Sequence, residues 1–143
     1  MFTHLFDCCF SNGFGISVFL KRHILLRCKF KILLEKVKSN EKDLKELNLN
    51  NIKDVKEEEY IELFSALKNN DSLVKLTLAN GDVADAACSE LNRALSQNQS
   101  LRSLSLENNR ISPDSIADMF EAINNGSGIL ELHLSNQAQS NMG

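Results

Sequence analysis

The hexapeptide Leu101-Arg102-Ser103-Leu104-Ser105-Leu106 spaces its leucines as L-x-x-L-x-L. The same pattern stands upstream at Leu73, Leu76 and Leu78, and before that at Leu44, Leu47 and Leu49. It returns downstream at Ile129, Leu132 and Leu134. The four copies begin 29, 28 and 28 residues apart. A near-constant interval of this size marks an array of repeats, each one supersecondary unit. Within each copy the last two leucines flank a single polar residue, the period of a strand with one buried face.

Each hexapeptide leads into a turn rich in Asn, Asp and Gly, then into an apolar pattern of helical period. In the first unit the pattern is Tyr60, Leu63, Phe64 and Leu67. In the second it is Ala87, Cys88, Leu91, Ala94 and Leu95, and in the third Ile116, Met119, Phe120 and Ile123. Steps of three and four place each set on one helix face. Polar segments at Lys68–Asp71, Gln97–Gln99 and Asn124–Gly126 close the helices. Ser112 and Pro113 suit the cap and first position of the third helix. Neither strand nor helix buries its apolar side alone, so stacking must supply the core. The expected fold is α/β: a leucine-rich-repeat solenoid, ribonuclease-inhibitor-like, built of 28–29-residue strand-turn-helix repeats. Its parallel sheet lies on the concave side.

The array looks incomplete at both ends. Lys31–Lys38 reads as the closing helix of an earlier unit, whose strand should lie near Ile16, where the motif is not matched. After Leu134 too few residues follow for another helix. The expected organisation is an atypical segment over residues 1–30 and a leucine-rich-repeat domain over residues 31–143.

Charge separates the same two parts. Residues 1–40 hold seven Lys or Arg against Asp7 and Glu35, although the whole chain carries a formal charge of -3. The body is therefore acidic, and no nucleic-acid partner is expected. The apolar run Phe14–Leu20 is too short to cross a bilayer. An amphipathic surface helix over Phe19–Lys38 segregates its charges poorly, so no membrane partner is expected. Cys8, Cys9, Cys28 and Cys88 form no disulfide framework and read as free thiols of a reducing compartment. The Asn98 and Asn125 sequons read as chance.

No catalytic set emerges. His133 would line a strand beside Glu131 and Ser135, which is not triad geometry. Cys8, Cys9, His23 and Cys28 lack the spacing of a zinc site. Asn12-Gly13-Phe14-Gly15 lacks the ending of a phosphate-binding loop. Neither catalysis, metal nor cofactor is expected. Glu57-Glu58-Glu59 suits a helix start, where the dipole favours carboxylates.

The turns after the strands are the better binding candidates, because stacking aligns equivalent positions along one edge. They hold Asn50, Asn51 and Lys53, then Asn80 and Asp82, then Asn108, Asn109 and Arg110. The asparagines suit either partner contact or the turn itself. Lys53 and Arg110 are not needed by a turn and point to partner binding.

Three of these segments carry a resemblance. Leu47-Asn48-Leu49-Asn50-Asn51-Ile52, Glu107-Asn108-Asn109-Arg110-Ile111-Ser112 and Asn136-Gln137-Ala138-Gln139-Ser140 resemble, in order and distance, turns of the tropomodulin and leiomodin family. The resemblance covers about residues 33 to 140. It implies a cytoplasmic, cytoskeletal protein that binds actin at the pointed end of the filament and regulates filament length. In that family the leucine-rich domain is the second of two actin-binding regions, and tropomyosin binds an extended N-terminal half to which nothing here corresponds. The alternative is a generic leucine-rich interaction module with a non-actin partner.

Overall fold

The computed structural model describes residues 18–138. Helix α1 (Val18–Lys38) precedes three strand-helix units and a last strand. These are β1 (Glu46–Asn48), α2 (Glu57–Leu67), β2 (Lys75–Thr77), α3 (Asp85–Leu95), β3 (Ser103–Ser105), α4 (Pro113–Asn124) and β4 (Glu131–His133). The strands form one parallel sheet in chain order. Leu47, Leu76, Leu104 and Leu132 are register partners across it. The middle leucine of every hexapeptide therefore stacks on its counterpart, as the repeat interval requires.

The helices pack against one another in sequence, α1 on α2, α2 on α3 and α3 on α4. Strands of a sheet lie about 4.8 Å apart, whereas packed helices need about 8–10 Å. Repeating both spacings puts the sheet on the inside of a curve. Between the two layers runs a single core that includes Leu47, Leu49, Leu76, Leu78, Leu104 and Leu106 from the strand side. From the helix side the expected sets of α2 and α3 are all buried. In α4 only Met119 and Ala122 are buried, and Phe120 is 52% exposed, contrary to the expected set. The equivalent position one unit earlier is Asn92, whose side chain donates to Ser115 C=O of α4. That position faces the following unit, and among the described residues no helix follows α4.

The expected boundary between residues 30 and 31 falls inside α1. Phe30, Leu34 and Val37 are buried. Phe30 meets Tyr60 edge-on at 5.8 Å, and Tyr60 stacks on Phe64 at 6.1 Å. Arg27 donates to Glu59 Oε1 at 3.1 Å and to Asp54 C=O at 3.0 Å. The strand position sought near Ile16 lies outside the described residues. Cys88 is a free, buried thiol. Cys28, in contrast, is disulfide-bonded, which corrects the expectation of free thiols throughout. Among the described residues no helix is long and apolar enough to cross a membrane.

The ends of the helices follow local chemistry. Ser112 Oγ accepts from Ser115 N–H at the head of α4, with Pro113 at its first turn. Asp85, in the first turn of α3, accepts from Ser112 N–H at 2.8 Å and so ties two units together. Burial would raise the Asp85 carboxyl, but hydrogen bonds from Ser112 and Ser115 outweigh it and hold the group below its ordinary value. Replacing Ser112 by Ala should cost about 1 kcal/mol in a urea titration, the usual worth of such a cap. An unchanged midpoint would mean that Pro113 alone starts the helix.

Candidate functional site

The turn edge is built on left-handed backbone. Asn51, Asn80, Asn108 and Asn136 have φ between 54° and 60°. Asparagine is the side chain best tolerated there after glycine, which explains its recurrence at the repeat interval. From these turns the sheet ladder continues. Asn51 N–H donates to Ala79 C=O, Asn80 N–H to Glu107 C=O and Asn108 N–H to Ser135 C=O. Side chains join the same ladder: Asn50 Oδ1 accepts from Ala79 N–H, and Asn80 Nδ2 donates to Asn51 Oδ1, each at 2.8 Å.

Asn109 is the most deeply engaged of the expected residues. It is 1% exposed. Its Oδ1 accepts from the N–H groups of Gly81 and Val83, at 3.1 and 3.0 Å. Its Nδ2 donates to the carbonyls of Leu78, Leu106 and Glu107. Gln137 repeats this role one unit on, donating to Leu106 and Leu134 C=O and accepting from Ile111 N–H. One unit earlier Gly81 stands instead, and Tyr60 Oη donates to its carbonyl at 2.7 Å. A Cβ on Gly81 would lie 2.7 Å from that hydroxyl, so a side chain there would have to displace the Tyr60 hydroxyl. Burial first, then the charges of Asp82 and Glu59, push the Tyr60 hydroxyl up to about 12, so it serves as a donor.

Lys53, Asp82 and Arg110 are different. All three are exposed. Asp82 and Arg110 share the rim of a cleft of about 300 Å³ with Asp54, Glu57 and Ala84, and Tyr60 and Gly81 lie in its wall. Among the described residues the side chains of Lys53 and Arg110 make no hydrogen bond or ion pair, although Arg110 N–H donates to Val83 C=O. The structure thus divides the eight expected residues. Asn50, Asn51, Asn80 and Asn109 spend side-chain groups inside the fold, Asn108 supplies a left-handed turn, and the three charged residues face solvent.

The opposite edge holds two residues that sequence reasoning took only as helix stops. Asn70 and Asn98 are both 3% exposed. Asn98 Nδ2 donates to Leu67 and Asn70 C=O, and its Oδ1 accepts from Ser100 and Leu101 N–H. Asn70 does the same toward Val37 C=O and the Ser72 and Leu73 N–H groups. Each thus satisfies carbonyls left open at a preceding helix end. The 28-residue interval between them was the available signal. With its amide committed and buried, Asn98 offers no sequon to solvent.

The sheet's outer face carries Glu46, Lys75, Ser103 and Glu131 in one column and Asn48, Thr77, Ser105 and His133 in the next. His133 Nδ1 lies 3.8 Å from Glu107 Oε1. At the acidic helix start, Glu59 accepts from Lys56 N–H and pairs with Arg27, a structural use of one of the three glutamates.

Strand, left-handed asparagine turn and helix, repeated with a shared core, define an α/β leucine-rich-repeat solenoid. The TMOD/LMOD leucine-rich domain model matches residues 28–143, and the chain belongs to that tropomodulin/leiomodin family. Among solved structures it is similar to the leiomodin-1 actin-binding site 2, with TM-score 0.70 and 27% identity. That likeness covers 86% of this chain and 65% of the leiomodin-1 structure, so this chain spans under two thirds of it. It is also similar to the tropomodulin C-terminal domain of Caenorhabditis elegans, with TM-score 0.73 and 30% identity, over 80% of this chain and 68% of that one. No curated protein sequence matches.

Proposed function

We propose that this chain binds actin through its leucine-rich domain, acts at the pointed end of the filament and thereby regulates filament length. The observation that carries this reading is the likeness, over 86% of the chain, to a domain solved as an actin-binding site of leiomodin-1. Membership of the same family over residues 28–143 supports it. The protein is then a cytoskeletal binding scaffold of the cytoplasm and carries out no catalysis. Lys53 and Arg110 are the contact residues best suited to an acidic partner, because both are exposed and neither is spent on the fold. Asp82, on the same rim as Arg110, sets the local charge pattern. Complementary charges of this kind govern encounter and register more than total affinity.

Cosedimentation with actin filaments tests the binding, and pointed-end elongation with barbed ends blocked tests the site of action. Binding through the leucine-rich domain by itself is expected to be weak, with partial inhibition at high protein concentration. One site acting alone lacks the effective-concentration gain of two linked ones, on the order of a hundredfold or more. Changing Lys53→Glu and Arg110→Glu together should weaken binding about tenfold, since like charges then face the acidic filament. No sedimentation with actin at any concentration would sink the reading and leave a leucine-rich module with another partner. Tight capping strengthened by tropomyosin would mean that the leucine-rich domain does not act alone.

A further inference from the structure

Among the described residues asparagine is followed by glycine at Asn80-Gly81 and at Asn125-Gly126. In such a pair the asparagine side-chain carbonyl carbon can close a five-membered ring on the next backbone nitrogen. Glycine has no Cβ to shield that nitrogen. Closure needs a side chain free to rotate onto the chain and an N–H free to give up its proton. The fold treats the two pairs in opposite ways.

Asn80-Gly81 is locked. Asn80 Nδ2 donates to Asn51 Oδ1 at 2.8 Å. Gly81 is buried, and its N–H donates to the buried Asn109 Oδ1 at 3.1 Å. Asn125-Gly126 is open. Both residues are exposed, and among the described residues the Asn125 side chain makes no hydrogen bond. Gly126 N–H reaches Ile123 C=O only at 3.3 Å, at a helix end of the kind that frays. The repeat explains the difference. Gly126 stands where Asn70 and Asn98 stand in the earlier units. Each of those asparagines clamps its connection by accepting from two N–H groups. Glycine has no side chain to do so, and Ser127 Oγ supplies one longer bond, from Ile129 N–H at 3.3 Å. The exposure of Asn125 belongs to its place in the unit. Its equivalents Asn69 and Gln97 are exposed although a further unit follows each.

We propose that Asn125 is a site of covalent modification by deamidation, while the fold protects Asn80. Gly126 N loses its proton to solvent base and attacks Asn125 Cγ. An N–Cγ bond forms, the bond from Cγ to the side-chain nitrogen breaks, and that nitrogen takes a proton from water and leaves as ammonia. Water then opens the succinimide ring at either carbonyl, giving aspartate or isoaspartate. One water is consumed and one ammonia released, with no redox change. Either product sets a carboxylate at the C-terminal end of α4, where the helix dipole disfavours it. Isoaspartate also lengthens the main chain between α4 and β4 by one carbon.

Peptide mapping by mass spectrometry tests this on the full chain, held folded at mildly alkaline pH and sampled over time. Asn125 should convert steadily to aspartyl and isoaspartyl peptides, which separate chromatographically, while Asn80 stays intact. In urea at the same pH both should convert at similar rates. Asn80 then accelerates about a thousandfold or more, the least ratio of folded to unfolded chain in a stable domain, and Asn125 changes little. Asn125→Gln, the residue type that Gln97 places one unit earlier, should keep the fold and abolish conversion there. Asn109→Ala frees the Gly81 N–H and should open Asn80 to conversion. That variant is also less stable, so the urea comparison on the parent chain tests the protection independently. An Asn125 that stays intact in the folded chain while converting in urea overturns the proposal. So does an Asn80 that converts in the folded parent as fast as Asn125.

Discussion

Replacing Asn109 by Ala should lower the unfolding free energy by about 3–5 kcal/mol. Each buried donor or acceptor left without a partner costs about 1–3 kcal/mol. This one side chain serves two N–H groups, of Gly81 and Val83, and three carbonyls, of Leu78, Leu106 and Glu107. Some of that cost is recovered where water reaches the turn, which keeps the figure below the simple sum. Replacement by Asp is the sharper probe. It keeps the acceptor toward Gly81 and Val83 but presents an oxygen to three carbonyl oxygens, so it should also destabilise. Urea titration of both variants measures the effect. An Asn109→Ala protein as stable as the parent, yet impaired toward its partner, would mean that Asn109 acts as a contact residue.

Leu104→Ala should cost about 2–5 kcal/mol, the range for a large-to-small change in a packed core. Leu104 is fully buried. It is flanked in register by Leu76 on one side and Leu132 on the other. Its cavity is therefore walled by stacked strands that cannot close on it independently. Leu132→Ala makes the comparison. Among the described residues that leucine has a register partner on one side only, and it is partly buried, so a smaller loss is expected. Equal losses at the two positions would mean that β4 is as well covered as β3.

The two Asn109 and Leu104 experiments also separate what a repeat position is for. Leucines stack identically in every unit because apolar packing is non-directional and tolerates the same residue each time. The polar inner position of the turn does not. It is Gly81, Asn109 and Gln137 in successive units, with Tyr60 Oη serving the glycine. A hydrogen-bonding role can thus be filled by different side chains, or from a distant residue, so its sequence signature is blurred.

The strand-turn-helix order, the parallel stacking and the register of the leucines were determined by the sequence alone. A period near 28 residues leaves few ways to bury both the leucines and the helix faces. The asparagine turns were legible too, because left-handed backbone admits few side chains. Three matters were decided only by tertiary structure. The first is which asparagines are spent on the fold. Asn109 and Arg110 are adjacent in the chain, yet one is buried and the other exposed. That division depends on backbone groups contributed 26 to 31 residues away, from the Val83 N–H to the Leu78 carbonyl. The second is the reach of α1, whose Phe30 enters the core by meeting Tyr60 from a different unit. The third is Phe120. Its helical period assigns it to a core face, but burial needs a neighbour on that side, and the described residues place none there. Periodicity tells which side of an element is apolar, and only the packed neighbours decide whether that side is covered.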